Sequence, residues 1–195
     1  MPVPRSSSFD FSERSFDLSA TKVGFKVGDK VVYPNHGVTV VEQIGNAPVF
    51  GTDDTYYHLR LLANNSRLMV PTGNSDRVGL RRLYQQKEIK GLLSLLEERV
   101  AKSHTDWKGR YRENLEKMKT GRLEDVAEVL KNLNEVSKKK SLSFREKKMY
   151  DRAKYLIVSE VAIVKGIPEV EAEKVIEKAL DKSLAAVQAA LQPGH

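Results

Sequence analysis

Cysteine is absent from this chain of 195 residues, which excludes a disulfide framework, thiolate zinc sites and a thiol nucleophile. Histidine is scarce: His36, His58, His104 and His195 are scattered, and no two share the spacing of metal ligands on a helix. There is no P-loop, no G-x-S-x-G and no H-E-x-x-H run, so neither an enzyme, a metal nor a cofactor is expected. Apolar runs are short, and none approaches the roughly 18 residues of a membrane-spanning helix. The opening Met1-Pro2-Val3-Pro4-Arg5-Ser6-Ser7-Ser8 lacks the apolar stretch of a secretory signal. The expectation is a soluble, cytoplasmic chain with no membrane partner.

Positive charge is what the chain has in excess, 33 Lys+Arg against 26 Asp+Glu, a net +7. It is concentrated. Residues 99–154 hold 17 basic and 9 acidic residues, a net +8, whereas residues 1–84 hold 10 against 8, a net +2. Such a stretch attracts polyanions and speeds their capture. A solvated helical surface explains the same charge, and from charge alone both readings stand.

Residues 1–24 read as a flexible leader, rich in Ser, with Phe9, Phe11 and Phe16 its only large aromatics. Residues 25–84 read as a small β domain. Lys30–Tyr33 makes a short strand between the Gly28-Asp29 and Pro34–Gly37 turns. Val38–Ile44 is mostly β-branched and apolar; Asn46–Pro48 and Gly51–Asp54 break the chain. Thr55–Leu62 alternates, with Tyr57, Leu59 and Leu61 on one face and Tyr56, His58 and Arg60 on the other. Arg67–Val70 follows, closed by Pro71, and Val78–Leu80 offers a last strand. Five short strands in this span suggest an SH3-like or Tudor-like barrel.

From residue 85 to 195 the period is helical. Ile89, Leu92, Leu93, Leu96 and Val100 form one stripe; Trp107, Tyr111, Leu115 and Met118 form a second. Thr105 or Asp106 can cap the second helix and Gly121 can end it. Leu123, Val126, Ala127, Leu130 and Leu133 form a third, with Glu124-Asp125 placed where the macrodipole favours negative charge. Ser143 and Glu146 have capping-box spacing and open a fourth helix that Gly166 stops. Pro168 starts a fifth, running through Val170, Ile176, Leu180 and Val187. The fold class is therefore α+β: a small barrel followed by a bundle of about five helices.

The most informative cluster is Trp107-Lys108-Gly109-Arg110-Tyr111-Arg112, which sets the sole tryptophan beside three cations at a helix start. A helix N-terminus directs amides and partial positive charge at a phosphate. An exposed ring there can wedge between base steps or stack on a splayed base. From the stripe alone, a core position for Trp107 is the stronger reading. A second basic cluster, Lys138-Lys139-Lys140 with Arg145, Lys147 and Lys148, flanks the fourth helix start.

Taken together, these residues resemble the CarD/CdnL family of bacterial transcription regulators. The similarity rests on Phe25–Pro34 with His36-Gly37-Val38, on Arg67–Pro71 followed by Val78–Arg81, and on the Trp107–Lys119 helix. Val126–Leu130, Leu142-Ser143 and Glu146–Met149 match in order and spacing. The resemblance implies a Tudor-like domain that binds the β subunit of RNA polymerase along an exposed strand, here near Arg67, Leu68, Met69 and Val70. It also implies that the helical domain reaches promoter DNA at the upstream edge of the melted bubble. Trp107 would enter the minor groove there, flanked by Arg110 and Arg112; Lys108 is added from its charge.

Two features depart from the family pattern. Gly109 stands where the first of two adjacent arginines is common, and an interior helical Gly costs about 0.8–1 kcal/mol against Ala. The 24-residue leader has no counterpart in the shortest members. The expected protein is a cytoplasmic, nucleoid-associated monomer that tethers to polymerase and stabilises the open promoter complex. The rivals are an architectural double-stranded DNA-binding protein that needs no polymerase, and a protein-interaction module alone.

Overall fold

A computed structural model of the chain describes residues 24–46, 55–98 and 106–191. The leader, apart from Gly24, lies outside the described residues. So do Asp53-Asp54, Val100, His104, Thr105, the side chain of Val187 and the final Pro193-Gly194-His195. The N-terminal part is one antiparallel sheet of β1 (Lys30–Tyr33), β2 (Gly37–Asn46), β3 (Thr55–Leu61), β4 (Arg67–Pro71) and β5 (Arg81–Arg82). The strand order is β4-β3-β2-β1-β5. The β-branched runs form the central strands as expected, and their apolar positions, Val31, Val41, Tyr57, Leu59 and Val70, close over Phe25 and Leu80 as a small core.

Two expectations for this part need correction. Among the described residues the sheet is not closed into a barrel: β5 is only two residues long and pairs with β1 alone. The last strand is also three residues later than Val78–Leu80. Gly79 takes φ +75, and hydrogen bonds from Gly79 N to Asp76 O and from Leu80 N to Ser75 O hold that stretch in a turn. Only beyond it does the chain extend beside β1.

Among the described residues five helices follow: α1 (Gln86–Glu97), α2 (Trp107–Lys119), α3 (Leu123–Lys139), α4 (Phe144–Lys165) and α5 (Glu169–Leu191). Their starts carry the chemistry that the sequence supplies. The Asp106 carboxylate accepts from Lys108 N and Gly109 N, and Ser143 and Glu146 close a capping box on α4. The core gathers Ile89, Leu92 and Leu96 of α1 with Leu130 and Leu133 of α3, Ile157 and Val161 of α4, and Ile176 of α5. Val170 is exposed, so α5 packs through Ala172, Ile176, Ala179 and Leu180.

Sheet and helices meet around one carboxylate. Glu160 of α4 is 1% exposed. Its two oxygens accept from Arg81 Nη1 at 2.8 Å, Arg81 Nη2 at 2.9 Å and Tyr84 N at 2.9 Å. Arg81 Nε donates onward to Gly121 O at 3.0 Å, at the end of α2. Gly121 is required there twice over: its φ is +71, and a Cβ would lie 2.8 Å from Pro34 Cγ of the β1–β2 turn. Nearby, Arg152 of α4 donates to Asn35 O. Tyr84 completes the joint by donating its hydroxyl to Glu124 Oε2 at 2.5 Å, at the start of α3.

Two outcomes follow from this junction. Glu160→Ala takes the acceptor from the Tyr84 amide and from the Nη atoms of Arg81, whose side chain is 21% exposed and keeps Gly121 O, so the loss is at most the roughly 3–5 kcal/mol of a fully buried pair. At roughly 2–4 °C per kcal/mol for a chain of this size, the apparent melting temperature should fall by at most roughly 6–20 °C in calorimetry. Tyr84 responds to alkali. Burial, and then its hydrogen bond to Glu124, push its hydroxyl up to about 12. A group raised in the folded state stabilises fully below its unfolded value of about 10 and loses that contribution as pH climbs to the folded value. The melting-temperature gap between wild type and Tyr84→Phe should hold up to about pH 10 and narrow towards pH 12.

Candidate functional site

Two surfaces bring together the residues singled out in the sequence. The first is β4. It pairs with β3 on one side, Leu68 opposite Leu59 and Val70 opposite Tyr57, and among the described residues no strand occupies its other side. The period of two divides the four expected residues. Leu68 and Val70 point into the sheet core, while Arg67 and Met69 point outward, Met69 at 42% exposure.

On that outer face, a bulge between Val41 and Gln43 of β2 projects Glu42 between two arginines. Glu42 accepts from Arg60 Nε at 2.5 Å and from Arg67 Nε at 3.0 Å. The Arg60 hydrogen bond, helped by Arg67, holds the Glu42 carboxyl below its ordinary value. Beside them lies an open hollow of about 400 Å³ lined by Gln43, His58, Arg67 and Met69 among others. The edge therefore offers main-chain groups flanked by an exposed thioether and an oriented guanidinium.

The second surface is at the first turn of α2. Trp107 is the first helical residue and is 46% exposed, so the core position that its stripe suggested is not the one it takes. The inward line of α2 is Arg110, Asn114 and Met118. Three residues further along is about 300° of rotation, so this line runs roughly 60° round from Trp107, Tyr111 and Leu115. Tyr111 is half-buried and Leu115 is exposed.

Arg110, expected among the DNA-facing cations, is turned inward. Arg110 is 4% exposed, and its Nη2 donates to Glu146 Oε1 at 2.9 Å. Lys108 and Arg112, which follow Trp107 on α2, are exposed. Glu146 is buried as well. Burial would raise its carboxyl, but hydrogen bonds from Arg110 and Ser143 outweigh that and hold it below the ordinary carboxylate range.

The sequence reading passed over Phe144. It is the first residue of α4, it is 74% exposed, and the Lys148 ammonium sits 4.6 Å from its ring centroid. The signal was available: the capping box puts Phe144 at the helix start, and Lys147 and Lys148 occupy the positions where an inward neighbour would stand. Lys138, Lys139, Lys140 and Arg145 are also exposed. Among the described residues there is no group of three or more His, Cys, Asp or Glu placed to hold a metal ion. Nor is any helix there long and apolar enough to cross a membrane.

Family comparisons fall on these same two parts. Residues 25–84 match the CarD-like/TRCF RID domain, and residues 91–177 match the CarD C-terminal domain. The chain is also 32% identical over 145 residues to "Putative transcription factor YdeB" of Bacillus subtilis (strain 168), covering 74% of this chain and 95% of that protein. The chain belongs to the CarD family. This family is one of transcription factors, and the RID domain implies an interaction with RNA polymerase. As a CarD-family chain, it is a transcription regulator whose fold is the open sheet and five helices described above.

The half-exposed setting of Trp107 has a direct test. Trp107→Ala should lower stability by about 1 kcal/mol or less, against the 3–5 kcal/mol of a core tryptophan. Phe144→Ser should fall within about 0.5 kcal/mol of wild type, as surface substitutions do. Denaturant titrations of both variants check the two values.

Proposed function

We propose that this CarD-family protein binds the β subunit of RNA polymerase through the β4 edge and stabilises the open promoter complex from its helical part. Residues 25–84 act as the tether and residues 85–195 as the DNA-facing domain, in a cytoplasmic, nucleoid-associated monomer. The observation that carries the reading is Trp107, half-exposed at the first turn of α2, with the exposed Lys108 and Arg112 following it on the same helix. A strand of the polymerase adds to β4 beside Arg67 and Met69, with Leu68 and Val70 holding β4 on its own core.

Once tethered, the protein works at high local concentration, so its DNA contacts can be individually weak. Lys108 and Arg112 neutralise phosphates at the upstream edge of the bubble, with Phe144, Lys147 and Lys148 alongside. The Trp107 ring enters the minor groove at the junction, where the wedge offsets an unstacking cost of a few kcal/mol. Closing the bubble requires the ring to leave, so the contact slows re-annealing. Each group has a binding role, and none performs catalysis.

Two substitutions in the full-length chain separate tether from wedge. Met69→Glu should weaken binding to the polymerase and lose the promoter effect with it. Trp107→Ala should leave polymerase affinity unchanged. If its contact is worth about 1–3 kcal/mol and forms only in the open state, bubble closing should speed up by roughly 5- to 150-fold. Open-complex lifetimes measured beside polymerase binding check both. Persistence of the promoter effect in Met69→Glu would favour the architectural DNA-binding rival. Direct DNA binding should be salt-dependent, with a log–log slope of about −3 to −4.5 if three to five phosphates are neutralised. A flat response sinks the basic surface as a DNA contact.

A further inference from the structure

The buried Arg110–Glu146 pair ties together the first turns of two helices that each begin with an exposed aromatic residue. Glu146 divides its oxygens. Oε2 accepts from Ser143 N at 3.1 Å and Ser143 Oγ at 2.8 Å, which closes the cap of α4. Oε1 reaches across to Arg110 Nη2 of α2 at 2.9 Å. The side chains of Arg110 and Glu146 are 5% and 6% exposed, so neither is a surface charge. Trp107 lies three residues before Arg110, and Phe144 two residues before Glu146.

The inner side of α2 gives this tie its importance. Its buried residues are Arg110, Asn114 and Met118, so only one of them is apolar, and α2 packs mainly on α3. Apolar contacts are non-directional and let a helix turn or slide by a few degrees. A charge-assisted hydrogen bond between buried groups tolerates much less. The first turn of α2 is therefore set by a polar contact of defined geometry, with Asp106 fixing the helix start just ahead of it.

We propose that Arg110 is a positioning residue: through Glu146 it fixes the first turn of α2, and thereby the direction in which Trp107 projects, without touching nucleic acid itself. This rests on the reading of Trp107 as the promoter contact and assigns the residue that aims it. A charge that composition counts among the DNA-facing cations serves inside the protein. The outer cations are then Lys108 and Arg112.

The sole tryptophan reports on the proposal without DNA or polymerase. In the full-length protein, Arg110→Gln and Glu146→Gln should each lower the fluorescence anisotropy of Trp107 and make it easier to quench with acrylamide, with the helical circular dichroism kept. Because removing one member of a buried pair is destabilising, Arg110→Lys is the companion variant. It keeps the charge but has no planar fork, and it should fall between wild type and Arg110→Gln.

Open-complex lifetime gives the second readout. Arg110→Gln should shorten it while leaving polymerase affinity in place. Trp107→Ala combined with Arg110→Gln should match Trp107→Ala alone to within about twofold, since a residue acting through Trp107 has nothing further to lose. Effects that multiply would place Arg110 on the DNA and overturn the proposal. So would unchanged Trp107 anisotropy and quenching in the folded Arg110 and Glu146 variants. If the fluorescence shifts while Trp107→Ala leaves the bubble lifetime untouched, the positioning role stands and the promoter reading of Trp107 is what falls.

Discussion

A carboxylate removed from water has to be given donors, and Glu160 receives three from the short stretch that leaves the sheet. The two ends of Arg81–Tyr84 thereby become fixed to the last third of α4, while the Arg81 guanidinium carries the tie on to Gly121. A linker that would otherwise swing is pinned at both its side chains and its backbone. The attitude of β4 relative to α2 is a consequence. Replacing such a network with apolar side chains would often cost nothing in stability, but a greasy patch would not specify a single angle between sheet and bundle.

The same economy recurs within the bundle. α3 and α4 each bury a long apolar stripe beside a few polar groups, whereas the inner face of α2 is largely polar. Its first turn carries a half-exposed aromatic ring, followed by two exposed cations. Helices assembled this way have less apolar area keeping them in place, so their charged contacts matter more than those on the surface of α4 or α5, where ion pairs such as Lys154 with Glu173 are partly solvated.

Most of the architecture is readable from local pattern. The short runs at residues 30–33 and 38–44 and the alternation at 55–61 specify strands because neighbouring side chains take opposite faces. The capping box at Ser143 and the glycine after Lys165 mark helix limits by the hydrogen bonds they satisfy or the φ they allow. What stays hidden depends on partners distant in sequence. Arg81 and Glu160 lie 79 residues apart, and Arg110 and Glu146 lie 36 apart. Periodicity could show that α2 has stripes but could not choose between two about 60° apart, and it favoured the apolar one. The inward one contains an arginine, acceptable only because a carboxylate on another helix awaits it. Likewise, no local rule indicates that a sheet of five strands stops short of closure, since that depends on how far β5 extends.

The open side of β4 has a consequence for time as well as place. The strand has five residues and ends in Pro71, which has no amide hydrogen to donate. Alternate residues of a strand direct their main-chain groups outward, so an incoming strand finds only about two or three residues to bond with. A strand added there, as proposed, would be held by few main-chain bonds and could leave without unfolding anything. The edge is also a poor seed for runaway self-pairing, because Arg67 places a charge at one end of the strand and the proline blocks the other. An edge of this length favours repeated engagement and release over permanent assembly.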